Sequence, residues 1–308
     1  MEETIWHYKL SEALTNRNAG YSMWGFGTKA GTEFFIKQFL SPKFPIDDTE
    51  SSPERLEKKL RECEKFVKRK TEIYEALNAG SDGNDVRVRE FFRVKSRFYI
   101  AMDKVDALNW TIDTIAQLPQ KEIKRLCAII AHAVAGLHQK GLVHADLKHE
   151  NILYTQLPSG TITAKVIDFD NSFLEAYPPE DDEEIVGDFN YFAPEVCAKI
   201  LGQTQRITCK ADIFALGILF HQYFSGALPE FSGEKCFCPG ESVLRGRAPR
   251  LHQIISKDLM ELILSMLNAD PEKRPSAWQV FERLRSTPVS VKSAGQNRSP
   301  FRKAGNLL

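Results

Sequence analysis

The 308-residue sequence has no net charge, no cysteine framework and no long apolar run. Lysine plus arginine and aspartate plus glutamate both number 41, so no overall field favours nucleic acid or a membrane, and neither is expected as a partner. The longest apolar stretch, residues 126–137, is interrupted by His132 and is too short to cross a bilayer. The six cysteines lack a disulfide spacing, and the charged N-terminus lacks the apolar core of a signal peptide. These absences predict free thiols and a cytoplasmic location.

The first third of the chain predicts a small sheet with one long helix. Aromatic and branched residues at 21–26 and 33–40, with a turn between them, indicate a pair of strands. Ser52 as N-cap and Pro53 then open a charged helix that runs to about Asn78. Its apolar stripe has helical spacing and consists of Leu56, Leu60, Cys63, Phe66, Ile73 and Leu77. Two more strands are predicted, at 86–94 and 97–105.

The remainder of the chain is predicted to be mainly helical. A buried, alanine-rich helix at 121–139 is followed by short strands between 142 and 170. Further helices are predicted at 194–201, 209–225, 255–267 and 275–285. Strands first and helices after indicate an α+β fold with two unequal lobes. We place these lobes at residues 1–104 and 105–285, and the polar residues 286–308 are expected to form a disordered tail.

Polar side chains suited to phosphoryl transfer lie at two neighbouring strand ends. Asp146, Lys148 and Asn151 follow the buried helix, and Asp168 follows the strand 164–167. Phosphoryl transfer needs little covalent chemistry: it needs metal-held phosphates, a positive charge on the moving group and an oriented hydroxyl. A single acidic loop residue is usually just solvated, but these four residue types together suit that reaction.

The same region carries a family resemblance. Its motifs are His144-Ala145-Asp146-Leu147-Lys148-His149-Glu150-Asn151, Asp168-Phe169-Asp170, Ala193-Pro194-Glu195, Asp212-Ile213-Phe214-Ala215-Leu216-Gly217 and Asp270-Pro271-Glu272-Lys273-Arg274-Pro275. In this order they make the chain similar to the eukaryotic-type protein kinase family over residues 8–285. The resemblance implies a bilobal kinase fold, ATP and Mg²⁺ as cofactors and a protein substrate. With a lysine at position 148, the chain resembles serine/threonine kinases rather than tyrosine kinases.

The resemblance implies a role for each matching residue. Asp146 would orient the substrate hydroxyl and accept its proton, and Lys148 would steady the transferred phosphate. Asn151 and Asp168 would hold Mg²⁺. The expected nucleotide contacts are Gly20, Lys37, Met102 and Lys104, with Lys37 as the strand lysine that holds the α- and β-phosphates. Asp212 is expected to brace the catalytic loop and Arg274 to pair with Glu195.

Several positions depart from the family's pattern. Only Gly20 remains of the glycine-rich loop that covers the phosphates, and Thr15 and Arg17 stand at the other glycine positions, which is expected to loosen or reshape ATP binding. Arg17 would either compensate in part by offering a charge or point to solvent. Phe35 replaces a small residue beside adenine and would narrow the pocket. Asp170 replaces a glycine; it would restrain the backbone, lie near the metal or simply be tolerated.

One partner is not singled out by the sequence, namely the helix glutamate that should pair with Lys37. The apolar stripe favours none of the candidates over the others, and we choose Glu64. The candidates are Glu57, Glu62, Glu64, Glu72 and Glu75.

The segment from Asp168 to Glu195 is expected to work without phosphorylation. It holds ten acidic residues and no lysine or arginine, and Ala145 replaces the arginine that receives a segment phosphate in many kinases. Asp188 stands where serine/threonine kinases usually have threonine, and we expect its carboxylate near Lys148. The acidic run 180–184 suggests a basic peptide substrate, with a solvated loop tip as the alternative.

Three functions remain open at this point. The first is an ATP- and Mg²⁺-dependent serine/threonine protein kinase, favoured because every residue expected to touch metal, phosphate and hydroxyl is present. The second is a pseudokinase that binds nucleotide or acts as a scaffold, for which the altered glycine loop, Phe35 and Asp170 argue. The third is a kinase fold that acts on a small molecule, and the peptide-docking character of residues 187–195 argues against it.

Overall fold

The computed structural model describes residues 4–17, 22–46, 51–80, 86–179, 185–233 and 236–286. Gly20, the acidic run 180–184 and residues 287–308 therefore lie outside the described residues. All six cysteines are free thiols, as the sequence predicts. Within the described ranges, no helix is both long enough and apolar enough to span a bilayer.

The N-terminal part is an antiparallel sheet with strand order β1-β2-β3-β4-β6-β5. Its strands are β1 (Thr4–Ile5), β2 (Tyr8–Leu10), β3 (Ser22–Lys29), β4 (Thr32–Phe39), β5 (Val88–Val94) and β6 (Arg97–Asp103). Successive side chains of a strand point to opposite faces, so Ile36 closes a small cluster with Tyr8 and Tyr99 on one face. Phe39 and Ile100 enter the main core on the other face, and Lys37 shares that face with them.

The long helix α1 (Pro53–Asn78) packs near this second face. The Ser52 hydroxyl accepts a hydrogen bond from the Arg55 amide at 3.4 Å, so the predicted N-cap is confirmed. The helix is mostly charged, and only one stripe is buried. The buried residues are Cys63, Lys70, Ile73, Tyr74 and Leu77.

The C-terminal part contains most of the helices and short paired strands. The helices are α2 (Ile112–Ala116), α3 (Gln120–Gln139), α4 (Pro194–Ile200), α5 (Lys210–Ser225), α6 (Pro239–Leu244), α7 (Lys257–Met266) and α8 (Ala277–Ser286). The short strands are β7 (Leu142–Val143), β8 (Ile152–Gln156), β9 (Ile162–Val166), β10 (Phe173–Leu174), β11 (Glu230–Phe231) and β12 (Pro249–Arg250). Sequence reasoning found the long elements and missed those that are too short to show a period, namely β1, β2, β10, β11, β12, α2 and α6.

Helix α5 is the centre of the C-terminal part. Every residue from Ala211 to Phe224 is buried, as expected for a helix that is apolar on all sides. Gly226 ends it in the left-handed conformation, with φ of 79°, and its amide donates to the Gln222 carbonyl. The predicted α+β fold, a small sheet followed by a larger helical part, is confirmed.

A buried ion pair ties the start of α4 to the segment after α7. Arg274 and Glu195 are 2% and 4% exposed, and two parallel bonds of 2.7 Å join the guanidinium to the carboxylate. Arg274 also donates to the carbonyls of Asn268 and Lys210. The predicted pair is therefore confirmed, and the guanidinium and the carboxylate both have hydrogen-bond partners.

We expect Arg274→Met to lower the free energy of unfolding by about 3–5 kcal/mol, because it leaves the Glu195 carboxylate buried without a partner. Denaturant unfolding followed by circular dichroism measures the change. Lys273→Met is the matched control, since Lys273 is a neighbouring, mostly exposed cation, and it should shift stability by less than about 0.5 kcal/mol. Equal midpoints for the two variants would contradict this expectation.

Candidate active site

A β-hairpin brings two of the predicted site residues to one end. Strands β8 and β9 pair from Ile152 opposite Val166 outwards, and Asn151 and Asp168 flank that end of the hairpin. The Ile167 amide donates to the Asn151 carbonyl at 3.0 Å. The hairpin therefore fixes the spacing of the two residues expected to hold a cation.

The loop before this hairpin is held by a buried carboxylate on α5. Asp212 is 1% exposed, and its two oxygens accept from the backbone amides of His144 at 2.8 Å and Ala145 at 2.9 Å. His138 Nε2 lies 2.9 Å from the same carboxylate. Ala145 has φ of 65°, which is unfavourable for a residue with a Cβ and needs such support. The expected brace of the catalytic loop is confirmed.

The pKa of Asp212 reflects these bonds. Burial works to raise it, but the hydrogen bond and charge of His138, together with His144, outweigh burial and hold the pKa below its ordinary value. The carboxylate is therefore charged when the chain is folded.

Asp146, Lys148 and Asn151 meet at the tip of this loop. Lys148 Nζ lies 3.1 and 3.0 Å from the two oxygens of Asp146. The Asn151 side-chain amide donates to the Asp146 carbonyl at 2.7 Å and to its carboxylate at 3.1 Å. The structure therefore places these three predicted residues in direct contact, with the Asp146 carboxylate held in one orientation.

Asp188 does not make the contact expected from the sequence. Its carboxylate accepts from the Asn190 amide at 2.9 Å and caps the short turn Phe189–Tyr191, while Lys148 stays on Asp146. The Asp188 backbone amide instead approaches Asp146 Oδ1 at 3.3 Å. The expectation of a bond to Lys148 is wrong because an aspartate before a helical turn satisfies the free amides of that turn.

Lys37 lies between two carboxylates that follow β9. Its Nζ is 2.8 Å from Asp168 Oδ1 and 2.8 Å from Asp170 Oδ2. Burial works to lower the pKa of Lys37, but Asp170 and Asp168 outweigh it and hold the pKa above its ordinary value. Burial likewise works to raise the pKa of Asp168, and the Lys37 ammonium holds it below its ordinary value. Lys37, which is expected to bind phosphates, is thus charged, and Asp168 and Asp170 hold its ammonium in place.

The choice of Glu64 as the partner of Lys37 is wrong. Glu64 is exposed, and the residue of α1 that reaches the site is Lys70, which is 4% exposed. Lys70 Nζ donates to the Asp170 carbonyl at 2.8 Å and lies 3.9 Å from the Asp170 carboxylate. Burial lowers the pKa of Lys70 to about 8, and Asp170 opposes that shift.

A signal for Lys70 was present in the sequence. The apolar stripe of α1 runs through Cys63, Phe66, Ile73 and Leu77, and Lys70 fills the gap at the same helical spacing. A charged residue in the middle of a buried stripe needs a counter-charge in the core. Asp170 provides it.

Aromatic rings line the face of the sheet that carries Lys37. Phe35 stacks on Trp24 with ring centroids 5.8 Å apart and meets Phe26 edge-on at 6.0 Å. Met102 pairs with Phe35 across β4 and β6. Phe35 and Met102 therefore lie on the same face of the sheet as Lys37, and a pocket narrowed by Phe35 and a nucleotide contact at Met102 stay predictions.

Lys104, Thr15 and Arg17 were also expected to influence nucleotide binding, and each makes a contact within the protein. Lys104 forms a surface ion pair of 2.9 Å with Glu33, so the pair would have to open for its side chain to reach a ligand. Thr15 bridges to Trp24, and the Trp24 indole donates to the Arg17 carbonyl at 2.8 Å. Trp24 thus holds these two replacements of the loop glycines as an extension of the sheet.

The donor set fits a hard divalent cation and phosphate. The described contacts of the Asp168 carboxylate all use Oδ1, and those of the Asn151 side chain all use Nδ2. Asp168 Oδ2 and the Asn151 amide oxygen therefore remain as the kind of oxygen ligand that Mg²⁺ prefers. Lys37 adds the positive charge that the phosphates need.

Comparison with known families agrees with this geometry. A sequence model described as the protein kinase domain matches residues 54–284, three quarters of the chain. The chain belongs to the protein kinase family. The matched residues include the catalytic loop and Asp168 but not Lys37, so the place of Lys37 in the kinase site rests on its contacts.

Several curated kinases are similar to this kinase domain. A calcium/calmodulin-dependent protein kinase of Emericella nidulans is 30% identical over 74% of the chain and 54% of that protein. The ovarian-specific serine/threonine-protein kinase Lok of Drosophila melanogaster is 34% identical over 53% of the chain and 34% of that protein. A Wee1-like protein kinase of Xenopus laevis is 29% identical over 63% of the chain and 33% of that protein. The chain thus spans between a third and about half of these relatives.

We expect Asp212→Asn to lower the free energy of unfolding at neutral pH by about 2–3 kcal/mol, because the new NH₂ group must face an amide donor. The folded pKa of Asp212 lies below its unfolded value, so this stabilisation is complete above about pH 4 and is lost as the pH falls through the folded pKa. The deficit of the variant should therefore shrink in acid.

Denaturant titrations from about pH 7 down to about pH 2 measure the deficit of Asp212→Asn. Asp258→Asn is the matched control, since Asp258 is exposed on α7. A deficit that is the same at every pH would show that the charge of Asp212 is not what holds the loop.

Proposed function

We propose that this chain is a protein serine/threonine kinase that transfers the γ-phosphoryl group of ATP, with Mg²⁺, to a hydroxyl of a protein substrate. The observation that carries the proposal is the connected set of Lys37, Asp146, Lys148, Asn151 and Asp168, described above. The serine/threonine preference rests on Lys148 beside Asp146 and on the serine/threonine kinases among the relatives.

Each side chain has a defined task in this reaction. The Asp146 carboxylate is oriented by Asn151 and is placed to accept the proton of the substrate hydroxyl. Lys148, within 3.1 Å of Asp146, supplies positive charge where the phosphoryl group moves. Lys37 would bind the α- and β-phosphates, and Asn151 and Asp168 would hold Mg²⁺. When bound, the cation would neutralise charge on the phosphates and fix their geometry.

The test is phosphate transfer from radiolabelled ATP to serine and threonine peptides, with and without Mg²⁺. We expect transfer that needs Mg²⁺ and falls by about 100-fold or more in Asp146→Ala, because the hydroxyl loses its base and its orientation. Asp258→Ala is the matched control, because Asp258 is exposed on α7, a helix that carries none of the predicted site residues, and it should retain full activity. Nucleotide binding without transfer would favour the pseudokinase instead.

We also propose a preference for basic peptides. The segment 168–195 carries ten acidic residues and no lysine or arginine, and complementary charge speeds encounter and selects partners. In the same assay, serine peptides flanked by arginine should be better substrates than those flanked by glutamate. Equal rates for the two series would remove this preference.

Phosphorylation of the segment is not needed for activity in this proposal. Ser172 is fully buried and donates to the His144 carbonyl at 3.0 Å, and buried Tyr191 donates to the Gln222 side chain at 2.7 Å. Tyr177, 74% exposed, is therefore the accessible hydroxyl among the described residues of the segment. Ala145 offers no charge to a phosphate.

We expect Tyr177→Phe to keep activity within about twofold of the unchanged protein, because a surface phenol with no catalytic contact is lost. Steady-state assays before and after phosphatase treatment, with mass spectrometry of the segment, make the measurement. A stoichiometric segment phosphate whose removal stops transfer would contradict the expectation.

A further inference from the structure

The charges around Lys37 are arranged differently from the family's pattern. In that pattern a glutamate on the long helix pairs with the strand lysine, and a glycine follows Asp168-Phe169. In this chain the helix presents Lys70, and the glycine position holds Asp170. Both departures fall on residues that touch each other.

We propose that Asp170 and Lys70 together replace the missing helix glutamate. Asp170 is the positioning residue that holds Lys37, and Lys70 is the residue that ties helix α1 to the segment 168–170. This inference rests on the proposed function in one respect, that the positioned Lys37 binds ATP.

The contacts of Asp170 support the first half. Its Oδ2 lies 2.8 Å from Lys37 Nζ, the same distance at which Asp168 Oδ1 approaches that ammonium. Asp168 is also a predicted Mg²⁺ ligand, so a cation bound there would compete with Lys37 for the charge of Asp168. Asp170 then remains as the carboxylate that keeps Lys37 in place.

The contacts of Lys70 support the second half. Lys70 is almost fully buried, and its Nζ donates to the Asp170 carbonyl at 2.8 Å and approaches the Phe169 carbonyl at 3.5 Å. The ring of Phe39 lies 5.4 Å from the same ammonium. A buried cation needs such partners, and the described contacts of this ammonium are with residues 169–170 and with aromatic rings.

The two substitutions are therefore coupled by charge. With the carboxylate moved from the helix to position 170, a glutamate at position 70 would place a third carboxylate beside Asp168 and Asp170. With a glycine at position 170, Lys70 and Lys37 would face each other with only Asp168 nearby. Either change alone leaves an unbalanced buried charge, and both together restore the family's arrangement.

The experiment is a double-mutant cycle of Asp170→Gly, Lys70→Glu and the pair of changes combined. Each protein is assayed for kcat, for KM of ATP, for KM of peptide and for Tm. Lys68→Glu is the matched control, because Lys68 is exposed on the same helix and makes the same change of charge.

We expect Lys70→Glu to lower kcat/KM for ATP by about 100-fold and Asp170→Gly by about tenfold, with KM for peptide within about twofold. The combined variant should recover to within about tenfold of the unchanged protein. A combined variant as poor as the product of the two single changes would overturn the inference.

A second variant guards against misfolding of Lys70→Glu. Asp170→Asn keeps the shape and the backbone carbonyl that Lys70 uses, and removes only the charge. It should raise KM for ATP by about fivefold or more while KM for peptide stays near that of the unchanged protein, and it should lower the midpoint of unfolding by less than Lys70→Glu does. An unchanged KM for ATP would overturn the role of Asp170.

The cycle also separates this inference from the proposed function. If the unchanged protein transfers no phosphate, the proposed function fails and the Tm values decide the inference. If the Tm of the combined variant is about 5 °C or more above that of Lys70→Glu, the proposed coupling of Asp170 and Lys70 is supported. If the losses of Tm in the two single variants simply add in the combined variant, the inference is overturned.

Discussion

The active site depends on one buried charge, the carboxylate of Asp212. A carboxylate that is 1% exposed is costly unless its oxygens are fully bonded, and three donors from His138, His144 and Ala145 meet it. Two of these donors are backbone amides of the catalytic loop, so the loop cannot change shape without exposing the charge. The left-handed backbone at Ala145 is held in this way, and Asp146 follows directly. The buried helix α5 thus fixes Asp146, the residue proposed to contact the substrate hydroxyl.

A second constraint is the balance of charge between the two parts of the chain. Lys37 comes from the sheet, Lys70 from α1, and Asp168 and Asp170 from the segment after β9, so two cations face two carboxylates. The pKa of Lys37 is raised and that of Asp168 lowered, although burial opposes both shifts. These four residues join three elements that are far apart in the sequence. The sheet, the helix and the segment are therefore positioned together.

The sequence was informative wherever the chemistry is local or the spacing is regular. The cap at Ser52 and the extent of helix α5 could be predicted from local sequence patterns. The burial of that helix and the partners of Asp212 and Arg274 were implied by the resemblance to the kinase family. The partner of Lys37 could not be predicted, because helical spacing gives the buried face of α1 but not the charge it requires. Glu64 was chosen by analogy with the family, whereas the charge at position 70 is decided by Asp170, a hundred residues later. Asp188 is a smaller example of the same limit. The sequence suggested a charge pair with Lys148, but in the structure the Asp188 carboxylate accepts a hydrogen bond from the Asn190 amide and caps the turn that follows.

These contacts change how the departures from the family's pattern should be interpreted. Asp170 in place of glycine and a helix without a suitable glutamate look, one at a time, like the erosion of an inactive kinase. Erosion removes contacts independently, and a buried lysine left behind would have lost its counter-charge. Here each departure supplies the partner that the other one needs, and Lys37 keeps two carboxylates at 2.8 Å. Paired departures that preserve the charge and position of Lys37, the lysine proposed to bind nucleotide, favour a site that still has to hold ATP.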